Sequence, residues 1–225
     1  MRILTVSDVP SDRYYEYYRP GMLSEFDLIL SCGDLRPEYL EFLVTMAGCP
    51  LVYVHGNHDD SYGREPQGCI CADDRIVEVN GLRILGLGGS NRYRDGQYMY
   101  TERQMNARIR RLWLPLKKHR GFDILLTHAP AQGLNDFDSV SHRGFQCFHT
   151  LLERYEPAYF IHGHIHLNYD FRLPQRCEKG ATTVINAYDH CVIDIGYYLK
   201  RLTDNQCENR AAARMQVTRS PRVRQ

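Results

Sequence analysis

The residues that could do chemistry stand in five short groups: Ser7-Asp8, Ser31-Cys32-Gly33-Asp34, His55-Gly56-Asn57-His58-Asp59, Thr127-His128 and His162-Gly163-His164-Ile165-His166. Carboxylates, a carboxamide and imidazoles are the donors that hold divalent cations. Imidazole also exchanges protons near neutral pH. Taken singly, each group has a plainer reading. Asp8 and Asp34 could cap helices. Asn57 could hold a turn. His128 could end a strand with its hydrogen bonds satisfied, and His164 and His166, two apart, could share one strand face without a metal.

What the groups share is their position. Each follows a short apolar run, over residues 2–6, 27–31, 51–54, 122–126 and 158–161, and runs of that length and composition read as strands. A strand that ends in a polar turn delivers those side chains at the carboxyl edge of its sheet, where open α/β sheets place their sites. Gly56 suits a sharp bend there. Five such endings, all able to bind metal, point to one polynuclear metal site at the edge of one sheet.

Taken in order, Asp8, Gly33-Asp34, Gly56-Asn57-His58-Asp59, Thr127-His128 and Gly163-His164-Ile165-His166 resemble the motif set of the calcineurin-like metallophosphoesterases. The likeness spans about residues 3–195. It implies an α/β fold, a four-layer αββα sandwich of two mixed sheets flanked by helices, with a dinuclear metal site at the strand C-terminal edge. By resemblance Asp34 bridges two divalent ions, Asn57, His128 and His164 complete one site, and Asp8 and His166 serve the other. Such ions stand ~3.5–4 Å apart, lower the pKa of bound water and let the resulting hydroxide attack phosphorus in line. His58 is then a proton donor to the leaving group or a phosphate anchor, with Asp59 orienting it.

One position departs from the pattern. The first motif is normally Asp-x-His, and here it reads Asp8-Val9-Pro10. Proline binds no metal and lacks even the amide proton. That leaves Asp8, Asp34 and His166 at one ion, with water or Asp12 to fill the gap, and a weak site. Losing an imidazole shifts preference from iron or zinc toward manganese. The expected activity is hydrolysis of a small phosphodiester or phosphomonoester. The alternatives are a metal- or ligand-binding protein of the same fold with a decayed first site, and a nuclease of that fold. Asn57, Arg36, Arg92 and Arg143 are the candidates to touch substrate, with Asn91 and His142 nearby in type.

The whole chain fits this reading. Its 225 residues make one domain, expected over 1–202, with a polar, basic tail at 203–225 expected to be disordered. Hydrophobic residues at 43% and charged ones at 24% are ordinary for a globular protein. A net charge of +1 gives no overall pull toward nucleic acid. No apolar stretch is long enough to cross a membrane, and no leader pattern precedes the first strand, so a cytoplasmic protein is expected. The sequence sets no oligomeric state. The eight cysteines are then free thiols, and Cys69-Ile70-Cys71 lacks a second pair of zinc-ligand spacing. His55, His119, His149, His162 and His190 fall outside the motifs and are read as structural.

The remaining elements follow from local signals. Helical spacing predicts helices over 37–47, 101–116 and 141–155. The middle one should bury Met105, Ile109, Leu112, Trp113 and Leu116 and leave its arginines in solvent. Asn80-Gly81 predicts a hairpin between 76–79 and 82–87. Strand patterns recur at 167–173, 182–186 and 191–195. Residues 60–75 read as a surface loop. Tyr14, Tyr15, Tyr17 and Tyr18 are expected to pack on the sheet, from a helix or a loop.

Overall fold

Alternation along the strands decides the layers. The computed structural model describes residues 1–170 and 172–196; the tail expected at 203–225 lies outside them. The chain runs β1 (Arg2–Ser7), β2 (Leu28–Ser31), α1 (Pro37–Ala47), β3 (Leu51–Tyr53), β4 (Ile70–Cys71), β5 (Arg75–Val79), β6 (Leu82–Leu87), β7 (Ser90–Asn91), β8 (Met99–Tyr100), α2 (Glu102–Arg111), α3 (Trp113–His119), β9 (Ile124–Thr127), α4 (Phe148–Tyr155), β10 (Tyr159–His162), β11 (Arg176–Lys179), β12 (Thr182–Asn186) and β13 (Asp189–Asp194).

Two sheets result, ordered β13-β1-β2-β3-β4 and β11-β12-β10-β9-β6-β5, beside a small β7-β8 pair. Both large sheets are mixed, because β13 pairs antiparallel with β1, and β5 and β11 pair antiparallel with β6 and β12, while the rest are parallel. Ile3, Leu28, Leu30 and Val52 of the first sheet and Ile84, Ile124, Leu126 and Ile161 of the second share the central core. Their strand neighbours face outward. Leu4, Val6, Ile29 and Leu51 pack with Leu40 and Leu43 of α1, and Leu85, Leu125 and Phe160 pack with Met105, Leu116 and Leu151 of the other helices. The result is the expected helix–sheet–sheet–helix stack.

The candidate groups therefore do not share one sheet edge. Asp8, Asp34 and Asn57 follow β1, β2 and β3, whereas His128 and His164 follow β9 and β10 of the facing sheet. Periodicity marks strands but not which sheet each joins.

Helix α1 matches its prediction, with Pro37 in the first turn and Gly48 closing it at φ 64°. The hairpin is also as expected: Asn80 and Gly81 take φ of 52° and 80°, as a type I′ turn requires. The predicted helix over 101–116 is two helices. Pro115 lacks the N–H that would bond the Arg111 carbonyl and its ring would clash there, so α2 ends at Arg111. Trp113, the first residue of α3, is 60% exposed, against expectation. Arg108, by contrast, is buried, donating to Asp74 and the Gly88 carbonyl under the Tyr100 ring.

The helix expected from 141 begins only at Phe148. Ser139 and Ser141 instead meet His142 Nδ1 at 2.9 and 3.0 Å, and Phe145 bridges to Ala131. The turn itself is closed by the His142 and Arg143 amides, which both donate to the Ser139 carbonyl, at 3.1 and 2.9 Å. Residues 167–170 and 172–173 turn rather than extend, and the strand lies later, at β11. The loop over 60–75 contributes β4 to the sheet edge. Residues 12–17 and 20–25 form turns, not a helix; Tyr14 packs edge-on to Phe26, Tyr15 and Tyr18 to Phe42, and Tyr17 stays exposed. Among the described residues no helix is long and apolar enough to cross a membrane.

Candidate metal centre

The strand ends meet across the gap between the sheets. His128 Nε2 lies 2.9 Å from Asn57 Oδ1, 3.1 Å from His164 Nδ1 and 3.4 Å from Asp34 Oδ2. The protons of these groups are committed elsewhere. His128 Nδ1–H donates to the Cys32 carbonyl at 2.7 Å, His164 Nε2–H to the Ser141 carbonyl at 2.6 Å, and the Asn57 amide to Tyr93 Oη at 3.4 Å. With both rings neutral, as metal ligation requires, these partners leave two nitrogen lone pairs, an amide oxygen and a carboxylate oxygen facing one another. A cation resolves that arrangement, and the outer hydrogen bonds are the kind that orient metal ligands. The donor set thus fits a divalent ion.

The second half is sparser. Asp8 Oδ1 and His166 Nε2 are 3.6 Å apart, and Asp8 Oδ2 accepts from the His164 amide at 2.9 Å. Tyr169 and Tyr188 lie against the His166 ring at centroid distances of 4.8 and 4.7 Å. Pro10 is exposed. Asp12 is exposed too, and among the described residues no contact joins it to Asp8.

Backbone conformation and glycine spacing hold both halves. Asp8, Asp34 and His164 adopt φ of 69°, 57° and 67°. That region is costly for a residue with a Cβ, ~1–2 kcal/mol each, and such strain gathers at functional sites. The motif glycines leave room. A Cβ on Gly33 would fall on the Gly56 amide, one on Gly56 on the Asp34 carboxylate, and one on Gly163 on the Ser7 hydroxyl. Gly56 has no positive φ, so close approach rather than a special bend is its reason.

Charge follows the geometry. Burial disfavours a charged His128, but the Asp34 carboxylate beside it wins and pushes the imidazole up to about 9. Burial would raise Asp34, yet His128 and the His58 amide hold it down at about 2. Burial, with the His128 charge, takes His164 down to about 3.

The other expected site residues are placed as follows. The His58 amide donates to Asp34 Oδ1 at 2.7 Å, while its exposed ring has Nδ1 3.4 Å from Arg94 Nη2. Asp59 does not reach the His58 ring. Its Oδ2 accepts from the Gly56 and Asp34 amides at 2.7 and 3.2 Å, so it holds the turn. Burial and the Asp34 charge push Asp59 up to about 6. Arg36 is exposed at the head of α1, the Arg92 guanidinium sits on the Met99 carbonyl, and Arg143 pairs with Asp138. Asn91 donates to the Arg143 and Gly144 carbonyls, a structural use. Sequence reading missed Tyr93 and Arg94, whose loop joins β7 to β8; nothing local separates Arg94 from its neighbour Arg92. It missed the Ser141 carbonyl as well, because backbone atoms carry no sequence signal.

Fold and site together define an α/β scaffold of two facing sheets with a candidate metal centre at the seam between them. Residues 1–168 match the calcineurin-like phosphoesterases, and the chain belongs to that family. It is 24% identical over 180 residues to the UDP-2,3-diacylglucosamine hydrolase of Photorhabdus laumondii, covering 73% of this chain and 75% of that relative. It is 28% identical over 208 residues to a UPF0046 protein of Caenorhabditis elegans, covering 73% of this chain and 69% of the relative. A solved protein of Thermus thermophilus shares the fold at a TM-score of 0.54 and 15% identity, covering 84% of this chain and 89% of that one.

Proposed function

We propose that the protein hydrolyses a small phosphodiester or phosphomonoester with two divalent ions at this centre. One observation carries the reading: a carboxylate oxygen of Asp34, the amide oxygen of Asn57 and a ring nitrogen each of His128 and His164 converge on one point between the sheets. Asp34 would bridge the ions, Asn57, His128 and His164 would hold one, and Asp8 and His166 the other. Divalent ions there supply positive charge to phosphoryl oxygens and lower the pKa of bound water. His58, exposed beside Asp34, would give a proton to the departing oxygen. Arg94 beside it offers a guanidinium to a phosphoryl oxygen. Asp59 keeps the 56–59 turn closed on Asp34.

Manganese is the ion to add first, because Pro10 removes an imidazole from the Asp8 half and hard ions accept what remains. Pro10 also favours a second reading, a metal-binding protein of this fold without turnover. One experiment separates the two: hydrolysis of bis-p-nitrophenyl phosphate and p-nitrophenyl phosphate with added manganese, by the wild type and His58→Ala. Manganese-dependent turnover that falls ~10²–10⁴-fold in the variant is expected. The ratio of the two rates assigns diester or monoester. Bound metal with no turnover on either compound, nor on UDP-2,3-diacylglucosamine, supports the second reading instead.

A further inference from the structure

A second cluster of metal-binding side chains lies at the far edge of the first sheet, outside the centre described above. A ring nitrogen of His55, the Cys71 thiol and a carboxylate oxygen of Asp73 all lie within 4.8 Å of one another. His55 Nδ1 is 2.7 Å from Asp73 Oδ2. On the other side of the ring, Nε2 lies 3.0 Å from Glu65 Oε2. His55 is the last position before Gly56-Asn57, and Cys71 closes β4, which pairs with β3.

The surroundings are those of a held ligand set. The Gly88 amide donates to Asp73 Oδ1 at 2.8 Å and leaves Oδ2 free to point at His55. Tyr53 Oη donates to Glu65 Oε2 at 2.5 Å. The Tyr98 ring stacks on His55 at 4.3 Å. A cavity of about 300 Å³, bordered by Tyr53, His55, Glu65 and Tyr98, gives access from solvent. Three nearby guanidiniums are engaged elsewhere, Arg64 with Glu38 and Glu41, Arg108 with Asp74, and Arg75 with the Cys71 backbone carbonyl. Among the described residues, one thiol, one imidazole and two carboxylates therefore gather without a side-chain cation of their own beyond a proton on His55.

We propose that His55 Nδ1, Cys71 Sγ and Asp73 Oδ2 hold a zinc ion, with the fourth position left to a ligand from outside the chain. Nitrogen, sulfur and oxygen donors together suit zinc, which takes four such ligands without geometric preference of its own. Glu65 then accepts from Nε2–H, the carboxylate–histidine–metal arrangement that fixes ring orientation, and Tyr53 fixes Glu65 in turn. The ion replaces the proton between His55 and Asp73 and one on the Cys71 thiol, and both protons go to solvent. Its role is to pin β4 and residues 72–73 to the strand that leads into Asn57.

Cobalt(II) is the probe, because a thiolate on cobalt absorbs in the near ultraviolet and the Asp34–His128–His164 group contains no thiol. The full-length protein loaded with cobalt should show that absorption, keep it in His128→Ala and lose it in Cys71→Ser. No such absorption in the wild type, or a band that survives Cys71→Ser, overturns the proposal. Should Cys71→Ser fail to fold, Asp73→Asn takes its place. Zinc content measured against protein should fall by one equivalent there, and full retention overturns the proposal equally.

Discussion

Gly163 and Asp59 show what single residues do around the candidate centre. Neither would bind metal, yet both set where the binding atoms lie. A methyl on Gly163 would press on Ser7 and the Asp8 carboxylate. Gly163→Ala should therefore weaken metal binding ~10–100-fold, as losses around a metal's ligands do. Calorimetric titration with manganese checks this, and an unchanged affinity would rule the steric account out. Asp59 separates orientation from chemistry. Asp59→Ala leaves the Gly56 and Asp34 amides without an acceptor, a cost of ~1–3 kcal/mol, while Asp59→Asn keeps an oxygen in place. Urea unfolding should rank wild type and Asn close together and Ala well below. If Asn is as unstable as Ala, the carboxylate does something other than accept those two hydrogen bonds.

Elements were legible where the signal is local and lost where it is not. The helix at 37–47 could be read from its Pro start and apolar spacing, and the hairpin from Asn80-Gly81, because each signal acts within a few residues. The break at Arg111 needed one more local step, the missing amide of Pro115. The turns at 139–145 were hidden behind apolar spacing that Phe145, Cys147 and Phe148 keep without being one helix. β4, β7 and β8 are two residues each, too short for any periodicity. The start of α2 carries its own mark: Thr101 Oγ1 accepts from the Gln104 amide at 3.3 Å, and the Gln104 side chain accepts from the Thr101 amide at 2.8 Å. Thr101→Ala should cost ~1 kcal/mol of stability with activity kept, since the cap is remote in the fold's logic from the strand ends. Differential scanning calorimetry reads the cost. A loss of several times that size would mean Thr101 supports more than its helix.

At the scale of the molecule, the candidate centre is a seam. β1, β2 and β3 bring Asp8, Asp34 and Asn57 from one sheet, and β9 and β10 bring His128 and His164 from the other. The motif order in the sequence identified these residues, but their facing across two sheets is tertiary, and no periodicity within a strand could tell it. A cation between the sheets binds the folded chain and not the separated strands, so it must stabilise the fold by mass action. At free metal 100 times the dissociation constant the gain is ~2.7 kcal/mol. For a domain of this size ~2–4 °C accompanies each kcal/mol, so chelation should lower the melting temperature by ~5–11 °C and manganese restore it. On the proposed two-ion reading the shift should keep growing with manganese concentration after the tighter half has filled, because an Asp8 half short of a ligand at Pro10 would fill later. Asp34→Ala removes the residue proposed to bridge both halves and should abolish most of the response. A melting temperature that ignores manganese in the wild type would mean that the two sheets meet without a cation between them.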